Sequence, residues 1–106
     1  MNITALPSSV HEALQQLGRD VRRARIRRRL PMADMAQKCV VSVPTLRKVE
    51  QGDPSVGIGP LAAALWALGM EQRLGTLLRE DIVGESLEAQ RRPKIARRDD
   101  TAAADF

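Results

Sequence analysis

Aromatic residues are nearly absent from this sequence: 106 residues hold one Trp, one Phe and no Tyr. Val, Ile and Thr alternate nowhere for long, so a sheet would lack both its favoured residues and its period of two. Alanine and leucine are abundant instead, and an all-α fold is expected. A single cysteine, Cys39, excludes an intramolecular disulfide. The opening MNITALPSS has neither the basic start nor the long apolar run of a secretory signal. The expected compartment is therefore the cytoplasm. No apolar run reaches the ~20 residues that span a bilayer. The closest, 60–70, is interrupted by Gly69, and no membrane partner is expected.

Groups for catalysis are just as scarce. His11 stands alone, and no Ser, His and acid set is visible. Cys39 falls on an apolar helical face and reads as a small core residue rather than a nucleophile. A metal site needs clustered Cys, His or carboxylates, and no such cluster occurs. Gly57 and Gly59 are too few for a phosphate-cradling loop, and a helix start explains them. Neither enzymatic activity nor a cofactor is expected.

What the chain does have is positive charge, unevenly spread. Residues 9–79 carry 12 Lys or Arg against six Asp or Glu, whereas 80–106 carry five against seven. A basic folded half attracts a polyanion, and nucleic acid is the commonest one in the cytoplasm. The length fits one small domain with a modest core, expected over 9–79. A short helix over 80–92 and a disordered tail over 93–106 follow it.

In chain order, Ser9 with Glu12 three residues on forms a capping box that starts helix one. Val10, Leu14, Leu17, Val21 and Ala24 then recur on one helical stripe to about Arg28. The other faces carry Arg19, Arg22, Arg23, Arg25, Arg27, Arg28 and Arg29, with only Asp20 among them. Such a charge run is commonly a solvated face, but beside a DNA-reading element it can lie along phosphates.

Leu30 and Pro31 open helix two, whose Met35, Ala36 and Cys39 share one buried face. A break at Val40, Val41 and Ser42 precedes helix three, with Leu46 and Val49 inward. Ser42 is expected to cap that helix by accepting from the Thr45 N–H, and Pro44 gives up an N–H that no helix bond needs. Gly52 supplies the left-handed stop. Two short helices joined by a tight turn are most simply a helix-turn-helix that places its second helix in DNA. Ile58, Leu61, Leu65 and Leu68 mark helix four, closed by Gly69, and helix five runs over 71–79 with Leu74, Leu77 and Leu78 inward. Trp66 falls off the main stripe of helix four and has two readings, a cover for the core edge or an anchor for a protein partner. A helix over 82–90 through Val83 and Leu87 is weakened by Gly84. Pro93 ends it, and 94–106 has the composition of a disordered segment. Its terminal Phe106 is a candidate to fill a pocket on a partner.

Leu17-Gly18, Val21-Arg22, Arg25, Leu30, Met35-Ala36, Val41-Ser42, Thr45-Leu46 and Val49-Glu50-Gln51-Gly52 together resemble the XRE-type helix-turn-helix domains of phage repressors and many bacterial regulators. The likeness covers roughly 17–78 and five helices. More narrowly, SVPTLRKVEQGDPSVGIG, then LWALGM, then the basic PKIARR resemble HipB-like antitoxins, which pair with a HipA-type kinase toxin. The resemblance implies a homodimer on double-stranded operator DNA, nucleoid-associated, that represses its own operon and binds the toxin. It places Ser42, Val43, Thr45 and Lys48 at base edges and adjacent phosphates with Arg47 beside them; Arg28 and Arg29, from the basic run of helix one, are expected along the DNA backbone. It also implies an Arg25–Glu50 ion pair tying helix one to the end of helix three. Four positions depart from the family pattern. Val43 and Pro44 replace long polar side chains and cannot make bidentate bonds to bases, so readout should be thin and lean on Thr45, Lys48 and DNA shape. Val40 stands where glycine is usual in the turn, which implies strain or a different turn geometry. Pro31 stands where Ser or Thr commonly caps helix two. Two other functions stay open: a stand-alone XRE-type regulator without a toxin, and a protein-interaction module that has lost DNA binding.

Overall fold

The computed structural model describes residues 5–91, which form six helices and no strand. In chain order these are α1 (Ser8–Arg27), α2 (Met32–Cys39), α3 (Val43–Gln51), α4 (Ile58–Ala67), α5 (Gln72–Gly75) and α6 (Ile82–Arg91). The chain divides into two units, Met1–Leu74 and Gly75–Phe106, so the first unit stops short of the expected 79. No described helix is long and apolar enough to cross a membrane.

Helices α1 to α4 end by one device. Arg29, Val40, Gly52 and Gly69 each take a left-handed conformation, at φ 51°, 58°, 70° and 79°. The next residue then sends its N–H back to the carbonyl five positions earlier: Leu30 to Arg25 at 3.2 Å, Val41 to Ala36 at 3.0 Å, Asp53 to Lys48 at 3.1 Å and Met70 to Leu65 at 2.8 Å. These bonds satisfy carbonyls that a helix end otherwise leaves open. Gly52 adopts its conformation freely. Val40 does not, because a β-branched side chain crowds its own backbone there, at a cost of about 1–2 kcal/mol.

Helix starts depart from expectation more than helix ends. The Ser9–Glu12 capping box does not form: α1 begins at Ser8 after Pro7, and no side chain caps it. The Pro7 carbonyl accepts the N–H groups of Val10 and His11 at 3.0 and 3.2 Å, which draws Ser9 inside the first turn, where its hydroxyl cannot cap. Helix α2 begins at Met32 with Pro31 in the cap position, not at Leu30 and Pro31, because the Leu30 N–H is already engaged in closing α1. Ser42 does cap α3, accepting from the Thr45 N–H at 3.1 Å, with Pro44 in the first turn.

Met35 and Leu46 are fully buried at the centre of the core. Val21 and Ala24 of α1, Ala36 and Cys39 of α2, Val49 of α3, Ala64, Leu65 and Ala67 of α4, and Leu68 surround them. Burial pushes the Cys39 thiol pKa up, against the opposing charge of Lys38, so the group stays a neutral core residue. Val10 and Ile58, expected on apolar stripes, are exposed at the outer ends of their helices.

Helix α5 is four residues long instead of spanning 71–79. Glycine in a helix interior costs about 1 kcal/mol, and Gly75 is where α5 stops. Leu77 and Leu78 beyond it are exposed rather than inward. In the second unit, α6 forms despite Gly84, whose N–H is accepted by the Asp81 carboxylate at 2.9 Å. A β-carbon at Gly84 would strike that carboxylate. Ile82, Val83 and Leu87 of α6 are exposed.

The tightest packing in the first unit is between α1 and α3. A β-carbon on Gly18 would lie 2.5 Å from the Glu50 carbonyl oxygen and 2.7 Å from the Gly52 nitrogen. One on Gly52 would lie 2.5 Å from the Leu14 carbonyl oxygen. Both obstacles are backbone, which has no rotamer to yield. Gly18→Ala is therefore expected to cost at least about 2 kcal/mol, at the level of overpacking a tight core, and Val40→Gly to gain about 1 kcal/mol. Urea unfolding followed by circular dichroism checks both, and a neutral Gly18→Ala would mean that the two backbones have room to separate.

Candidate nucleic-acid interface

Helix α3 buries Leu46, Val49 and Glu50. At 100° per residue, Pro44, Arg47, Lys48 and Gln51 then share the opposite face, and all four are exposed. Arg47 and Lys48 thus stand together on the outward side. Gln51 joins them, a residue that helical spacing from Arg47 and Lys48 could have singled out. Its amide offers both donors and an acceptor.

The other candidates on α3 lie differently. Val43 is half-buried and packs against the core. The Ser42 hydroxyl is spent within the cap: it accepts from the Thr45 N–H and donates to Thr45 Oγ1 at 2.9 Å. Thr45 is half-buried, and its hydroxyl proton is left for an outside acceptor. At the far end of α3, Asp53 accepts from the backbone N–H and the hydroxyl of Ser55 at 2.8 and 2.7 Å. Those bonds, the backbone one first, hold the Asp53 carboxyl below its usual range, with a smaller contribution from Lys48.

Arg25 and Glu50 meet in a forked pair. Arg25 Nε donates to Glu50 Oε2 at 2.6 Å and Nη2 to Oε1 at 3.1 Å, while Nη1 donates to the Leu30 carbonyl at 3.1 Å. The side chains are 11% and 5% exposed, and Glu50 is the one buried charged residue among those described. Its hydrogen bonds, and then its charge, hold the guanidinium proton more tightly than water does, against the opposing effect of burial. The pair joins α1 and the Leu30 segment to the last turn of α3.

The remaining arginines of α1 divide. Arg28 Nη1 bonds the Ala24 carbonyl of its own helix at 2.8 Å. Arg29 sits on the left-handed residue after α1, exposed. Arg19, Arg22, Arg23 and Arg27 are exposed and line a shallow groove with Ile26. Arg22 stands one turn from Gly18, while Arg23 and Arg27 lie further round α1, away from the contact with α3.

Trp66 lies outside the core cluster and is 52% exposed. Lys38 is 5.9 Å from its ring centroid and donates to the Ala67 carbonyl at 3.3 Å. Phe106 lies outside the described residues. No described group of His, Cys, Asp and Glu could hold a metal ion. Compared with known protein families, curated proteins and solved structures, the chain matches none.

Arg25→Ala strips a buried carboxylate of its partner and is expected to cost about 3 kcal/mol or more, the range for breaking a buried pair. Arg25→Met combined with Glu50→Leu removes both charges and should recover most of that loss. Chemical denaturation of the singles and the double gives the coupling, and additive losses would show that the two side chains do not depend on each other.

Proposed function

We propose that α2 and α3 form a helix-turn-helix and that the chain is a dimeric DNA-binding transcriptional repressor. On this reading it is the antitoxin that autoregulates a toxin–antitoxin operon and binds a HipA-type kinase toxin, acting at the nucleoid. The observation that carries the DNA reading is the outward face of α3. It presents Arg47, Lys48 and Gln51 on a helix held against α1 at both Gly18 and Glu50. A rigidly held helix with two cations and an amide can enter a major groove, take phosphates and contact base edges. Thr45 adds one hydroxyl donor, while Arg28 and Arg29 flank from the end of α1. Ser42 positions α3 rather than reading bases. The antitoxin assignment rests on the narrower family resemblance, with Trp66 and Phe106 as the contacts offered to the toxin.

A second reading is favoured by Val43, which is half-buried, and by Pro44, which has no polar group: a helix so poor in base readers suits a protein-interaction module. A stand-alone regulator without a toxin is distinguished by its operon, which would encode no kinase.

With about six phosphates met in all, log K for an upstream duplex should fall against log salt with a slope near −5, at ~0.9 per phosphate. Lys48→Ala and Gln51→Ala should weaken operator binding more than binding to random DNA, whereas Arg29→Ala should weaken both about equally. Footprints should show two half-sites about 10 base pairs apart or a multiple of that. Absence of a gel shift at low salt would sink the DNA reading and leave the protein-interaction module.

A further inference from the structure

The outer face of α1 is a surface that the proposed DNA contact does not use. Arg19, Arg22, Arg23, Ile26 and Arg27 line a shallow groove of about 280 Å³ there. Their spacing, three, four, seven and eight residues from Arg19, keeps them on one helical face. Arg22 stands one turn from Gly18, where α3 packs, and Arg23, Ile26 and Arg27 continue round the exposed side of α1.

The groove has two chemical features. Its rim is cationic and mostly uncommitted: Arg22 and Arg27 make no side-chain bond among the described residues, Arg19 bonds only Gln16 at 2.9 Å, and Arg23 faces Asp20 at 3.6 Å. Pairs this exposed contribute little and exchange readily for a better partner. Its centre is apolar: Ile26 is 47% exposed between the arginines. A phosphate backbone meets the rim but brings nothing apolar to cover Ile26. Carboxylates set around an apolar side chain meet both, because guanidinium groups take carboxylates in a two-point fork.

We infer that this face of α1 docks an acidic amphipathic helix of a partner protein. An apolar side chain of that helix seats on Ile26, and carboxylates around it pair with Arg22 and Arg23 one turn before Ile26, with Arg19 two turns before it and with Arg27 just after it. An apolar centre within a charged rim is the usual anatomy of a protein interface. The inference does not rest on the DNA reading, and the groove does not include Trp66.

The test uses the full chain and a fluorescein-labelled synthetic helical peptide with leucines on one face flanked by glutamates. A scrambled peptide of the same composition and a random-sequence DNA duplex serve as further probes. Fluorescence anisotropy reads affinity, and circular dichroism checks that each variant is folded. The helical peptide should bind more tightly than the scrambled one. Arg22→Glu with Arg23→Glu should weaken it by about tenfold or more, and Ile26→Ser by about threefold, while Arg79→Glu with Arg91→Glu should change it less than about twofold. Duplex affinity should fall less than peptide affinity in the Arg22 and Arg23 variant. Failure of the helical peptide to bind, equal binding of the scrambled peptide, or an unchanged affinity in Ile26→Ser would overturn the inference. An equal or larger loss of duplex binding would assign the groove to nucleic acid instead.

Discussion

At Gly18 and Gly52 the backbones of α1 and α3 come so close that neither position has room for a β-carbon. Side chains normally keep helices apart and tolerate some sliding. Here main chain meets main chain, and the contact permits little tolerance in distance or angle. Gly52 serves twice, since the left-handed turn that ends α3 is also the point that touches α1 at Leu14 and Gln15. The direction of α3, and so the placement of Arg47, Lys48 and Gln51, follows from this crossing.

The Arg25–Glu50 pair fixes the same two helices about two turns further along α1. Removing two charges from water is costly, and a buried pair often contributes little net stability. Its geometric effect is surer. Both carboxylate oxygens and all three guanidinium nitrogens are engaged, so the fork has few alternatives and fixes the last turn of α3 in rotation as well as in position. The Leu30 carbonyl takes the third nitrogen, and the turn into α2 is tied to the same point. An ion pair used this way specifies an arrangement and holds the outward face of α3 in one orientation.

Legibility in the sequence tracked how local each device is. The Ser42 cap, Pro44 in the first turn and Gly52 at the end of α3 each depend on a few neighbouring residues, and all three form. Val40, for which the resemblance implies strain or a different turn geometry, takes a positive φ of 58°. Features that depend on what covers a surface were not legible. Leu77 and Leu78 have the composition of a buried face, but the helix stops at Gly75 and leaves them exposed. The Ser9 box satisfied a local rule and still lost, because Pro7, one residue outside the motif, starts the helix first. Within the candidate site, Ser42 and Val43 are expected at DNA from the family resemblance, whereas the cap and burial decide what each can reach. Gln51 was overlooked for want of the same helical projection that groups it with Arg47 and Lys48.

The arginines of α1 show why a count of charge is a poor guide to a binding face. Seven lie between Arg19 and Arg29, and the sequence treats them as one positive surface beside α3. Arg25 is neutralised by Glu50, and Arg28 is held by a carbonyl of its own helix. Four others surround Ile26. On α3 itself the outward charge is that of Arg47 and Lys48, a small group that is held in place by the contact with α1. The larger cluster surrounds an apolar side chain that no phosphate would cover. Gly18 and Arg25 constrain the side of α1 that meets α3, whereas the exposed arginines carry no such packing requirement, so the cationic face can change without disturbing the crossing of the two helices.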